Sequence, residues 1–188
     1  MKLKRTLILL FGCVWLSGCA GLFLAGAAGS FIVYDSRSLS TVEADARIYY
    51  LVNKSIVRDS ELRDARISVT SFNRNVLLTG QVPKASQRVI AEKIAQRVAN
   101  VRRVYDEIVV GPPAAYTQRS RDIWITGEVR SKMLAKKGLE SGFIRIVTED
   151  SVVFLMGNVT KSQASLAVDV ARQVSGVNKV VKIFQYIH

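Results

Sequence analysis

The reactive side chains of this 188-residue chain are few and poorly placed for catalysis. Its one histidine, His188, is the last residue, so no acceptable Ser-His-Asp or Cys-His arrangement can be built around it. The closest carboxylate pairs are Asp106-Glu107 and Glu149-Asp150. Neighbours in a strand point to opposite faces, and the second pair falls in a turn, so neither makes a good acid/base couple. No Gly-x-Ser-x-Gly elbow and no phosphate-cradling glycine loop is present. One histidine and two cysteines leave no histidine-based metal site and no multi-bridge disulfide framework to expect. The expectation is a non-enzyme with no cofactor and no catalytic or metal residues.

Binding chemistry is better supplied. Lys and Arg number 27 against 15 Asp and Glu, a net charge of +12, which favours an anionic partner. The most informative stretch is 121–137. As a helix it places Ile125, Val129 and Met133 on one face at core spacing. Roughly opposite lie Ile123, Trp124, Gly127, Ser131 and Leu134, with Arg130 at their edge. A solvated helix would be polar there. Instead it offers an indole, which favours the headgroup level of a bilayer, two aliphatics, and a glycine that leaves room beside the ring. Arg119, Arg121, Arg130, Lys132, Lys136 and Lys137 against Asp122 and Glu128 give 119–137 a net +4. The candidate phospholipid-binding set is therefore Ile123, Trp124, Gly127, Arg130, Ser131, Leu134 and Lys137. Two readings of Trp124 compete, lipid contact and packing against another part of the chain, since an exposed aromatic marks either interface.

The N-terminus supplies a second chemical group. Lys2, Lys4 and Arg5 precede an apolar run from Thr6 to Trp15, the pattern of a secretory signal. Leu16-Ser17-Gly18-Cys19 then resembles a bacterial lipobox, in which the chain is cut before a cysteine whose thiolate takes a lipid. The competing reading is an uncleaved span, because 6–34 is almost free of charge and long enough to cross a bilayer. Ala20 in place of Asp matches the pattern of Gram-negative lipoproteins exported to the outer membrane. Loss of the three signal cations leaves the mature chain at +9. Secretion also sets nucleic acid aside as a partner and brings an anionic membrane surface forward.

The elements that position the candidate helix are written twice. At an offset of 77 residues Asp45 falls on Asp122, Ile48 on Ile125, Val52 on Val129, Leu78 on Leu155, Gly80 on Gly157 and Lys84 on Lys161. After a one-residue gap Val101 falls on Val177 and Val104 on Val180. Each copy reads helix, strand, strand, helix, strand. The hairpins turn at Asn73-Arg74-Asn75 and near Glu149-Asp150-Ser151, and Gly80 and Gly157 mark a bulge or a close backbone approach. Ile90, Ile94 and Val98 form one face of the second helix, and Ala167, Ala171 and Val174 its counterpart. The expected class is α+β, each unit a three-stranded mixed sheet with both helices on one face. The boundaries read 1–18 signal, 19–40 lipidated Cys19 and Gly/Ala-rich tether, 41–110 first unit, 111–119 linker, and 120–188 second unit. Units of this size bury little core alone, so the two are expected to pack on each other.

Copy one serves as an internal comparison. Ala46, Arg47, Tyr50, Asn53, Lys54 and Val57 stand where copy two has Ile123, Trp124, Gly127, Arg130, Ser131 and Leu134, and 41–63 has no net charge. Copy two is thus the expected membrane binder, while Tyr49 and Tyr50 read as core edge or domain interface.

The paired units, with Leu78-Thr79-Gly80-Gln81-Val82 and Leu155-Met156-Gly157-Asn158-Val159 closing their second strands, resemble BON domains. Asp122-Ile123-Trp124-Ile125-Thr126 and Val174-Ser175-Gly176-Val177 carry the resemblance most specifically. Two such units behind a lipobox are similar to the dual BON-domain outer-membrane lipoproteins. That resemblance implies a non-catalytic protein on the periplasmic face of the outer membrane that binds anionic phospholipid, phosphatidylglycerol or cardiolipin, and supports envelope integrity. It also implies enrichment at the division site and a link to the outer-membrane β-barrel assembly machinery. The alternative is an adaptor that docks that machinery through the same apolar face.

Overall fold

A computed structural model describes residues 37–187 of the chain. The signal, Cys19, the tether up to residue 36 and His188 lie outside the described residues. The first unit comprises α1 (Leu39–Arg58), β1 (Arg66–Phe72), β2 (Asn75–Val82), α2 (Ala85–Arg97) and β3 (Arg103–Val110). The second comprises α3 (Tyr116–Ala135), β4 (Ile144–Glu149), β5 (Val152–Val159), α4 (Lys161–Arg172) and β6 (Lys179–Tyr186). Both sheets have the second strand in the centre, antiparallel to the first and parallel to the third. This α+β architecture of two three-stranded mixed sheets follows from the chain order. A two-residue turn suffices for an antiparallel pair, whereas a parallel pair needs a crossover, here α2 and α4.

Each hairpin is held by an aspartate from the preceding helix. Asn73 and Arg74, and likewise Asp150 and Ser151, have positive φ at both turn positions, the geometry that matches the twist of the flanking strands. Asn75 belongs to the returning strand rather than to the turn. The buried Asp45 carboxylate accepts from the N–H groups of Asn73 and Arg74 at 2.7 Å each and from the Ser71 hydroxyl at 2.9 Å, and it pairs with Arg37. Asp122 repeats the clamp on Asp150 and Ser151 at 2.9 and 2.8 Å. Gly80 is a close backbone approach, for a Cβ there would lie 2.0 Å from the Arg66 carbonyl oxygen. Gly157 is closed off in the same way by the Phe143 carbonyl, at 2.7 Å.

Alternation along the central strands splits the core into layers. Val76, Leu78 and Val82 pack under α1 and α2, and Val153, Leu155 and Val159 under α3 and α4. The intervening Leu77, Phe154 and Met156 point the other way and meet Phe72 and Ile183 in a third cluster shared by the two sheets. The copies therefore pack sheet face to sheet face, leaving the helices outside. Arg66 and Gln81 of the first unit both donate to the Glu149 carboxylate of the second, at 2.5 and 2.8 Å.

One boundary and one buried face differ from expectation. Helix α3 begins at Tyr116, inside the stretch expected as linker, so only Gly111 to Ala115 connects the units. Pro112 and Pro113 disfavour helix before that point, and nothing after Ala115 does. In α2 the deepest residues are Ala91 and Ala95, with Ile90, Ile94 and Val98 flanking them half-buried. Small side chains let the helix sit close on the sheet.

Candidate functional site

Helix α3 is anchored from below and bare above. Asp122, Ile125, Val129 and Met133 are buried at i, i+3, i+7 and i+11 and fix its rotation over β4. Thr126 adds a hydrogen bond to Thr148 at 2.8 Å. With that face committed, the opposite one is forced outward. Ile123 is 74% exposed and Trp124 52%, and Leu134 is also exposed. Gly127, Arg130 and Ser131 complete the row, all exposed. A Cβ at Gly127 would meet nothing within 4 Å, so the space beside the indole is open. Trp124 has no part in the third cluster, which is built of sheet residues and joins the two units.

The cations fall in two groups. Arg119, Arg121 and Arg130 lie along the helix, and Lys132, Lys136 and Lys137 gather at its end. Lys136 is the C-cap, so Lys137 lies one residue past the helix rather than on the row. The three lysines complement the partial negative charge of the terminal carbonyls. No aligned ion pair involves any of these six among the described residues.

Two features escaped the sequence reading. Tyr116 is exposed, stacks under Arg119 with the guanidinium carbon 5.5 Å from its ring centroid, and extends the row by two turns. Its spacing of seven before Ile123 is the signal, hidden by its assignment to the linker. Tyr49 and Tyr50 are exposed on α1 rather than at the core edge or the domain interface, together with Leu51 and Val57. The units meet through their sheets, so among the described residues neither sheet covers that face of α1. Copy one therefore also shows apolar surface, and what distinguishes copy two is its charge, its indole and its open glycine. Among the described residues no group of three or more metal-ligating side chains converges, and no helix is long and apolar enough to cross a membrane.

Two αββαβ units joined through their sheets, with a helix of each turned outward, define a tandem two-domain repeat protein. A sequence model of the BON domain matches residues 44–112 and 121–187, and the chain belongs to the BON-domain family with two copies. It is 36% identical over 187 residues to the Haemophilus influenzae protein described as outer membrane lipoprotein DolP, covering 98% of this chain and 97% of that one. It is 37% identical over 154 residues to a 21 kDa hemolysin of Actinobacillus pleuropneumoniae, with 81% and 79% covered. Identity to the osmotically-inducible protein Y of Escherichia coli is 27% over 157 residues, with 82% and 78% covered.

Proposed function

We propose that this chain is a non-catalytic outer-membrane lipoprotein, anchored through Cys19 on the periplasmic face, whose second BON domain reads anionic phospholipid through α3. The observation that carries the reading is the outward row Ile123, Trp124, Gly127, Ser131 and Leu134, edged by cations that form no ion pair among the described residues. Full burial of an Ile or Leu side chain stabilises by about 1.5–3 kcal/mol. Each basic residue near an anionic surface adds about 1 kcal/mol. Such a sum is modest for a free domain. It becomes effective when a lipid on Cys19 already holds the domain at the bilayer, because the second contact is then intramolecular. Support of envelope integrity at the division site is what the resemblance to dual BON-domain outer-membrane lipoproteins implies, and a surface suited to phosphatidylglycerol or cardiolipin is compatible with it.

The test is vesicle co-sedimentation of the unlipidated 20–188 chain and its Trp124→Glu variant. The wild type should pellet with anionic but not neutral vesicles and lose binding at high salt. The variant, folded by circular dichroism, should stay in solution. A folded wild type that ignores anionic vesicles removes the lipid reading and leaves α3 as a docking face for a protein such as the β-barrel assembly machinery.

A further inference from the structure

A groove of about 380 Å³ runs between α4 and the edge strand β6 of the second unit. Helix α3 packs over β4 and α4 over β6, so the groove lies at the opposite edge of the sheet from the α3 row. Its floor is apolar, made by Ala164 and Val168, both buried. Lys161, Ser165 and Arg172 rise from the helix on one side. Lys182 and Tyr186 face them from the strand, four residues apart and so on the same side of it. Asp169 is the single carboxylate in the lining. None of these four charged groups makes an ion pair with a described residue.

The first unit carries an ion pair at the matching place. By the strand registers, Leu78 pairs with Asp106 where Leu155 pairs with Lys182, and Val82 with Val110 where Val159 pairs with Tyr186. On the helices Arg88 corresponds to Ser165 at the repeat offset. In the first unit Arg88 lies against Asp106, with Nε donating to the carboxylate at 2.6 Å and the guanidinium donating to the Asp106 carbonyl at 3.1 Å. The hydrogen bond to Asp106, more than any other cause, raises the Arg88 pKa above its ordinary value. The second unit replaces the arginine by a small hydroxyl and the aspartate by a lysine. The ion pair is gone, and the strand position that carried a carboxylate carries an ammonium.

We infer that this groove binds a phosphate ester, its phosphate held by Arg172 and Lys182 toward one end and its carbon part over Ala164 and Val168, with Lys161 at the other end of the groove, eleven residues or about 16 Å along the helix from Arg172. Three cations against one carboxylate leave the groove net positive, as a phosphate monoester of about −1.5 to −2 requires. A guanidinium fork and a lysine ammonium suit its several acceptor oxygens better than a single carboxylate would. The Ser165 and Tyr186 hydroxyls supply further donors. Nothing in this site uses α3, so it stands or falls separately from the lipid reading.

The test follows backbone amide resonances of the 20–188 chain during titration with inorganic phosphate and with glycerol 3-phosphate. It is repeated on Trp124→Glu, which removes vesicle binding through α3, with vesicles of phosphatidic acid, whose headgroup is a phosphate monoester, as competitor. The critical variant is Ser165→Arg with Lys182→Asp, which rebuilds the pair that the first unit already accommodates. Saturable shifts along α4 and β6 are expected in the wild type and in Trp124→Glu, with affinity about tenfold or more weaker in the double variant, the scale of one lost charge-assisted contact. Should the double variant not fold, Lys182→Gln reports the same loss of a contact. Competition by vesicles identifies a lipid headgroup as the source of the phosphate, and its absence identifies a soluble ester. No saturable shift at α4 and β6 with either phosphate, or a folded variant that binds as well as the wild type, overturns the inference.

Discussion

Replacing Asp122 by alanine should cost the protein about 3 kcal/mol of stability. The carboxylate is 5% exposed and accepts from the Ser151 N–H at 2.8 Å, the Asp150 N–H at 2.9 Å and the Gln118 side-chain amide at 3.0 Å. Hydrogen bonds to a charged group contribute about 1.5–3 kcal/mol each, and an orphaned buried donor costs about 1–3. Gln118 can turn to water; the turn amides are less free, because Ser151 is buried. Both turn residues also sit at positive φ without being glycine, a conformation costing about 1–2 kcal/mol per residue. The clamp holds them there. Against these terms stands the desolvation of the aspartate itself, which alanine relieves, so the net falls well below the sum. Asparagine keeps one acceptor oxygen and should lose about half as much. Urea unfolding of the 20–188 chain, followed by circular dichroism, reads the difference as a lower midpoint at unchanged slope. A loss under about 1 kcal/mol for the alanine variant would refute the account of the aspartate as the hairpin clamp.

Three substitutions test neighbouring claims. Gly80→Ala puts a Cβ 2.0 Å from the Arg66 carbonyl at a φ of +115°, and should cost several kcal/mol, seen as loss of the cooperative transition or of soluble protein. Arg74→Gly relieves positive φ in the first hairpin, keeps both backbone hydrogen bonds of that residue and creates an Asn-Gly turn, so the melting temperature should rise by the equivalent of about 0.5–1 kcal/mol. Gly127→Ala meets no neighbour and should stabilise α3 by about 0.8–1 kcal/mol. By narrowing the space beside Trp124 it should weaken anionic-vesicle binding at the same time; stabilisation with unchanged binding would show that the open space has no part in the site.

Much of this was legible in the linear order of residues. The offset of 77 located both units, and the 3.6-residue spacing of Ile125, Val129 and Met133 assigned their face to the core and the row of Trp124 to the outside. Periodicity works there because a helix has one buried face and the rest follows from geometry. Periodicity says which face is apolar, but not what covers it. Tyr49 and Tyr50 look as coverable as Leu77 or Phe154 in sequence, yet the former are exposed and the latter join the two sheets. The unbroken apolar character of Val153-Phe154-Leu155-Met156 was the available clue, since a strand buried on both faces loses its alternation.

The sequence by itself therefore determined the repeat, the order of elements, the hairpin aspartates as repeated residues, and the outward indole, all set by local spacing. Only the tertiary structure decided that the units join by their sheets, that each aspartate clamps a turn 28 or 29 residues away, and that Arg88 pairs with Asp106 in one unit while Ser165 and Lys182 line an open groove in the other. Those facts depend on where a crossover helix returns each strand, and side chains brought together by that return carry no mark of it in their spacing along the chain.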